Sequence, residues 1–110
     1  MEIAEHIRKL AAQSRYHFTL HATQRCLERG LTLQAVISAL ASHVEVIEDY
    51  PDDPRGHSCL VLTFEAGQRD RPLHVNVGLS DPDRIVIITV YCPALSEWES
   101  DYKTRKKGGN

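Results

Sequence analysis

The residues with the clearest chemical potential form a basic repeat, His21, Arg25 and Arg29. Steps of four residues return to nearly the same face of an α-helix, so the imidazole and the two guanidinium groups are expected to line up. An imidazole with a pKa near about 6.5 exchanges protons at neutral pH, and guanidinium groups bind phosphate oxygens in a bidentate manner. The repeat favours a phosphodiester site, and its alternative is a solvated helix face on which Glu28 pairs with an arginine.

His74 and Tyr91 form a second group of candidates. Leu73, Val75 and Val77 alternate with His74, so the imidazole is expected on the other face of a strand. If helices cover only one face of the sheet, His74 is exposed. Tyr91 ends a second apolar segment, which places its hydroxyl at the rim of the sheet. The alternative for His74 is a surface or hydrogen-bonded histidine without a catalytic role.

Residues that bind metals are present, but their spacing is not that of a metal site. His17 and His21 are four apart, yet His17 precedes the predicted start of the helix. Cys26, Cys59 and Cys92 form no Cys-x-x-Cys pair, and isolated buried cysteines usually behave as small apolar residues. The sequence contains no Gly-rich phosphate loop and no recognisable nucleophile motif. We therefore expect no metal and no cofactor.

Helical periodicity assigns the basic repeat to the second of three predicted helices. The first covers residues 2–14, the second runs from a Thr19 cap to Arg29 and stops at Gly30, and the third follows Thr32 over residues 33–42. The spacing predicts that Leu20, Thr23 and Leu27 lie on the face opposite the basic repeat.

From residue 44 the apolar period changes from helical to alternating, which indicates strands at about 44–50, 58–65, 72–79 and 84–91. Their connections are too short for parallel crossovers. The sequence thus predicts an α+β fold in which two to three N-terminal helices pack on one face of a four-stranded, mainly antiparallel sheet.

The C-terminal residues combine an aromatic pair with a basic run. Trp98 and Tyr102 stand at helical spacing and predict a short final helix that completes a single domain over residues 1–102. Residues 103–110 are expected to form a flexible basic tail. The cationic side chains that would bind RNA phosphates are Lys103, Arg105, Lys106 and Lys107. The alternative role for this tail is to aid solubility.

Composition limits the class of protein. A chain of 110 residues with 42% hydrophobic content is sufficient for one domain. Its net charge of −2 provides no general attraction for nucleic acid, although two basic regions flank an acidic segment at residues 45–53. Three widely spaced cysteines predict reduced thiols. No apolar run approaches the ~18 residues that span a bilayer, so we expect a cytoplasmic protein.

Three segments resemble the blocks of a widespread bacterial domain family that lacks an assigned function: FTLHATQRCLERGLT at 18–32, RPLHVNV at 71–77 and ITVYCP at 88–93. The resemblance extends over residues 16–105. The layout of that family is similar to RelE-like and BrnT-like toxins of type II toxin–antitoxin modules. It implies a RelE-like (BECR-like) fold, and many such toxins are encoded beside small zinc-finger antitoxins.

The resemblance implies a function and partners. RelE-like toxins cleave RNA without a metal, with the RNA 2′-hydroxyl as nucleophile. Carried over to this sequence, His21 or His74 deprotonates that hydroxyl, and the other histidine protonates the leaving oxygen. Arg25 and Arg29 stabilise the phosphorane, and Tyr91 positions a base. The implied partners are RNA, including mRNA, an antitoxin protein and a second copy of the chain. The negative net charge departs from that of a ribosome-dependent toxin.

The alternative hypothesis is a regulatory or interaction module without catalytic activity. Its support is the acidic segment at residues 45–53, which is suited to dock a basic partner or another copy of the chain.

Overall fold

The structure is a computed structural model that describes residues 2–107. Three helices and five strands are present: α1 (Ile3–Ala12), β1 (Tyr16–Phe18), α2 (Leu20–Glu28), α3 (Leu33–Ser42), β2 (Glu45–Tyr50), β3 (Ser58–Phe64), β4 (Pro72–Gly78) and β5 (Ile85–Tyr91). A 3-10 turn, Glu65–Gly67, joins β3 to β4. Within residues 2–107, no helix has the length and apolar character required to cross a membrane.

The strands form one mixed sheet in the order β1-β5-β4-β3-β2. Strands β2 to β5 are an antiparallel meander, as their short connections predicted, whereas β1 pairs with β5 in parallel. The prediction of four strands was therefore incomplete. Strand β1 is only three residues long, which is too short to display an alternating pattern, and its partner strand lies at the other end of the fold.

Threonine caps fix the starts of two helices. The α3 helix spans the predicted residues, and the Thr32 hydroxyl accepts a hydrogen bond of 3.0 Å from the Ala35 amide. At α2, the Thr19 hydroxyl accepts from the Ala22 amide at 3.0 Å and also donates to the Ile88 carbonyl at 2.9 Å. Thr19 thus caps α2 and ties it to β5.

The two caps are expected to differ in their effect on stability. Thr32→Ala removes only a cap and should lower the free energy of unfolding by about 1 kcal/mol. Thr19→Ala also removes the hydrogen bond to β5, so its expected loss is about 2 kcal/mol. Urea unfolding monitored by circular dichroism measures both values. Equal losses in the two variants would show that the bond to Ile88 contributes nothing.

The main core lies between the helical layer and one face of the sheet. Helix α2 packs on this face through Ala22 and Cys26, which are buried. Leu20 and Leu27, which the spacing placed opposite the basic repeat, do not contribute to this contact, since these side chains are 75% and 81% exposed. Small side chains let the helix approach the sheet closely, and this steric requirement is not contained in the apolar periodicity.

The other sheet face is partly covered by residues 92–107, which we call the C-terminal arm. The predicted final helix is absent from it. The side chain of Asp101 accepts hydrogen bonds from the amides of Lys103 and Thr104 and reverses the chain, so Trp98 pairs with Arg105 in an antiparallel bridge. Trp98 is buried at 2% exposure. The arm therefore supplies the aromatic residue that seals this face.

Candidate functional site on the sheet face opposite the helices

Pairing between strands brings a set of polar residues onto the face that the helices leave open. Glu48 of β2 pairs with Leu60 of β3. His74 of β4 pairs with Leu62 of β3 on one side and with Tyr91 of β5 on the other. Leu60, His74 and Tyr91 alternate with residues of the main core, so their side chains point away from the helices, and Glu48 shares this face through its pairing with Leu60. The C-terminal arm lies over the same face.

His74 is completely buried, and both of its ring nitrogens have partners. Its Nε2 lies 2.7 Å from the backbone oxygen of Tyr102, and its Nδ1 lies 3.0 Å from the Tyr91 hydroxyl. A carbonyl oxygen can only accept, so Nε2 carries the proton and Nδ1 accepts from Tyr91. The Trp98 ring packs against the imidazole at 4.4 Å with an interplanar angle of 89°. The prediction of an exposed His74 was thus wrong, because the arm covers it.

Burial of His74 lowers its pKa below the ordinary value. A buried imidazolium is costly to desolvate, and this effect outweighs the opposing influence of the Tyr102 carbonyl and the Glu48 charge. His74 is therefore neutral at pH 7 and acts here as a fixed hydrogen-bond acceptor for Tyr91.

The depressed pKa predicts a pH dependence of stability. The unfolded chain takes up the His74 proton before the folded chain does, so stability is complete above about pH 6.5 and falls as the pH drops toward the folded pKa. We expect wild type to lose stability more steeply than His74→Gln between about pH 6.5 and pH 5. Urea unfolding at several pH values measures the difference in slope. Parallel curves for the two proteins would contradict a buried, neutral His74.

Glu48, Tyr50 and Arg105 form a second group beside His74, which we call the Glu48 cluster. Arg105 donates to the Glu48 carboxylate from Nε at 2.6 Å and from Nη2 at 3.0 Å, and the Tyr50 hydroxyl donates to the same carboxylate. The Arg105 guanidinium also lies over the Trp98 ring, 4.6 Å from its centre. A carboxylate, a guanidinium and a phenol thus meet at the edge of the arm.

The electrostatics of the cluster follow from these contacts. The hydrogen bond from Arg105 lowers the pKa of Glu48, which keeps the carboxylate ionised at neutral pH. Burial raises the pKa of Tyr50, and the adjacent Glu48 charge raises it further. Burial is also the main reason for the raised pKa of Tyr91. The Tyr50 and Tyr91 hydroxyls therefore stay protonated at neutral pH. The Glu48 carboxylate can accept a hydrogen bond from an incoming polar group, and the Arg105 guanidinium can donate one.

The residues of the basic repeat lie elsewhere. His21, Arg25 and Arg29 are exposed on or just after α2, and Arg25 pairs with Glu28 at 2.8 Å. Helix α2 covers the core face of the sheet, whereas His74 points to the opposite face. The sheet therefore separates His21 from His74, and the structure does not bring these two histidines together at one site.

The predicted phosphate-binding residues of the C-terminus have different environments. Lys103 pairs with Glu45 at 2.9 Å and Arg105 pairs with Glu48, so two of the four cations contact β2. Lys106 and Lys107 are exposed. The last three residues of the predicted tail lie outside the described residues.

Cysteine and metal chemistry add little to this site. Cys26 and Cys59 are buried and Cys92 is exposed, all as free thiols, and burial raises the pKa of Cys59 to about 12. Among residues 2–107, no group of three His, Cys, Asp or Glu side chains is placed to hold a metal ion.

Sequence reasoning missed the contribution of Glu48 and Tyr50. A bulge between Val46 and Glu48 shifts the register of β2, so simple alternation does not give the facing of Glu48. The sequence did carry one signal for this contact: the acidic segment at residues 45–53 and the basic C-terminal run have complementary charges.

Residues 18–92 match the model of a family described as Domain of unknown function (DUF4258). The chain belongs to this family. The match includes Glu48, His74 and Tyr91 and ends where the C-terminal arm begins, so the DUF4258 segment supplies the sheet face and the arm adds Trp98 and Arg105 to it. No curated protein and no solved structure matches the chain.

Proposed function

We propose that the protein is an endoribonuclease that needs no metal ion and acts at the Glu48 cluster. The observation that supports it is the bidentate pair of Glu48 and Arg105, which combines a base with a phosphate-binding cation beside Tyr91. Guanidinium groups bind phosphate with the same two-pronged geometry that they use for carboxylates. Arg105 would supply the positive charge that a metal provides in other nucleases.

Entry of RNA requires Arg105 to move from Glu48 to a phosphate. The Arg105 side chain is 59% exposed, and partly exposed ion pairs contribute only about 0–1 kcal/mol. A phosphodiester can therefore compete for the guanidinium at little cost. Loss of the Arg105 contact raises the pKa of Glu48 and makes the carboxylate a better base as the phosphate binds.

The proposed reaction is an intramolecular transesterification of the RNA, in which the 2′-hydroxyl attacks the adjacent phosphodiester. Glu48 takes the proton of the 2′-hydroxyl, and the 2′-oxygen forms a bond to the adjacent phosphorus while Arg105 binds the phosphorane oxygens. The bond from phosphorus to the 5′-oxygen breaks, and the Tyr91 hydroxyl turns its proton from His74 Nδ1 to that oxygen and transfers it there. Solvent returns the proton from Glu48 to Tyr91. The products are a 2′,3′-cyclic phosphate and a free 5′-hydroxyl.

His74 acts in this scheme as a positioning residue. Its Nδ1 accepts from Tyr91, and its Nε2 is held by the arm. The imidazole therefore fixes the Tyr91 hydroxyl without exchanging a proton itself.

The biological setting proposed with this activity is that of a toxin in a type II toxin–antitoxin module. Its support is the resemblance of residues 18–32, 71–77 and 88–93 to a bacterial domain family whose layout is similar to that of such toxins. RNA, including mRNA, is then the substrate, and a small antitoxin protein is the partner.

A cleavage assay in the presence of a chelator tests the proposal. Purified wild-type protein and His21→Ala are each incubated with end-labelled RNA. Cleavage by both proteins is expected, because His21 lies on the other side of the sheet. Intact RNA in the wild-type reaction would refute the nuclease, and cleavage lost only in His21→Ala would move the site to α2.

A binding role is a second candidate, favoured by the outer face of α2. Leu20 and Leu27 are strongly exposed there, and a spacing of seven residues places them on one side of the helix. Large apolar residues exposed together indicate a contact with another protein. An antitoxin-like partner would cover this face without blocking the Glu48 cluster. Light scattering of wild type and of a Leu20→Ser, Leu27→Ser variant, each alone and with the neighbouring gene product, tests this role. Complex formation that the substitutions leave unchanged would exclude α2 as the docking surface.

A further inference from the structure

We infer that a cavity at one end of this sheet face binds a nucleobase of the RNA; the inference rests on the proposed nuclease function. The cavity has a volume of about 310 Å³ and lies between the β2–β3 loop and the β4–β5 turn. Small-molecule sites begin at about this size, and they combine apolar surfaces with a few polar groups.

The floor of the cavity is apolar, and no side chain rises from it at Gly78. Val86 and Ile88 of β5 form it together with Gly78 of β4. A Cβ atom at Gly78 would lie 3.3 Å from the Cβ of Val86 and 3.4 Å from the Cδ1 of Ile88, so a side chain at this position would crowd the floor. An apolar floor of this kind suits the face of a planar ring.

The walls of the cavity are polar. They include His57, Ser80 and Asp81. The Ser58 hydroxyl donates to Asp53 at 3.2 Å. The Arg55 side chain is 85% exposed at the rim. Donors and acceptors around an apolar floor match a nucleobase, which has apolar faces and a hydrogen-bonding edge.

The β2–β3 loop is held in place over the cavity. The His57 carbonyl accepts a hydrogen bond of 2.8 Å from the Leu79 amide. Gly56 has a φ of +112°, and a Cβ there would overlap the Ser80 hydroxyl. The loop and the turn are thus in direct contact, and the wall exists before any ligand binds.

The cavity adjoins the Glu48 cluster. Tyr50 of the cluster pairs with Ser58, whose side chain lines the cavity. Glu48 is two residues before Tyr50 on β2, and two residues along a strand cover about 7 Å, so Glu48 lies about 7 Å along the strand from the cavity. A nucleotide whose phosphate binds Arg105 would place its base in the cavity.

Binding of uncleavable oligonucleotides tests the inference. The probes are short 2′-O-methylated oligomers of A, C, G or U, together with an abasic oligomer of the same length. Fluorescence anisotropy measures affinity, and NMR follows the backbone amides of Gly56 and Gly78. We compare wild type with Val86→Phe, which fills the cavity, and with Lys9→Gln on the exposed side of α1 as control.

At least one base series is expected to bind wild type and Lys9→Gln about tenfold more tightly than the abasic oligomer, a difference of about 1.4 kcal/mol. This preference should vanish in Val86→Phe, and the Gly56 and Gly78 amides of wild type should shift. Equal affinity for abasic and base-containing oligomers, or unshifted glycine amides, would overturn the inference even if Val86→Phe fails to fold. Base-dependent binding without cleavage of ordinary RNA would support the cavity and refute the nuclease.

Discussion

Glu48→Gln is expected to slow RNA cleavage by about 10²- to 10⁴-fold, the usual contribution of a general base. Glutamine has nearly the same shape as glutamate and can still accept from Arg105 and Tyr50, but it cannot take the proton of the 2′-hydroxyl. Initial rates of cleavage of a labelled oligonucleotide measure the effect. Circular dichroism of the variant confirms that the fold is retained.

Glu45→Gln is the matched control for this variant. Glu45 lies on the same strand and also pairs with the C-terminal arm, through Lys103 rather than Arg105. Its substitution removes an equal charge and an ion pair with the same arm, so the cleavage rate should stay within about twofold of wild type, since exposed pairs contribute little. Equal loss in both variants would indicate that β2 acts through its general charge and not through Glu48.

Trp98→Ala is expected to lower the free energy of unfolding by about 3–5 kcal/mol. The indole is buried at 2% exposure, packs against His74 and carries Arg105 on its face. Its removal leaves a large cavity under the C-terminal arm and withdraws the support of two polar side chains. This loss is a large fraction of the whole stability of a small domain, which is about 5–15 kcal/mol.

Urea unfolding monitored by far-ultraviolet circular dichroism measures this loss. Leu95→Ala is the control, because Leu95 belongs to the same arm but is 51% exposed. Its substitution should change stability by no more than about 0.5 kcal/mol. A Trp98→Ala protein as stable as Leu95→Ala would show that the arm does not seal the sheet face.

Local signals in the sequence were sufficient for most of the fold. The caps at Thr19 and Thr32 and the apolar stripe of α3 depend on neighbouring residues only, and they gave those helices close to their observed bounds. The four strands of the meander are also adjacent in sequence. Strand β1 was missed because three residues carry no periodicity and because its pairing partner is remote.

The candidate site was harder to predict, since it depends on contacts between distant segments. His74 and Tyr91 were singled out as separate candidates, and the structure joins them by a hydrogen bond. The burial of His74 depends on Trp98 and Tyr102, which periodicity placed in a helix. The pairing of Glu48 with Arg105 spans 57 residues, and no local pattern indicates it.

The most direct test of the proposed nuclease compares two substrates that differ in one atom. An RNA oligonucleotide and the same molecule with a single 2′-deoxy substitution at its main cleavage site are incubated with wild-type protein in chelator, and the product ends are determined by mass spectrometry. The proposal predicts a 2′,3′-cyclic phosphate and a 5′-hydroxyl from the RNA and no cleavage at the substituted position. Cleavage at the 2′-deoxy position, or an RNA that remains intact, would contradict it.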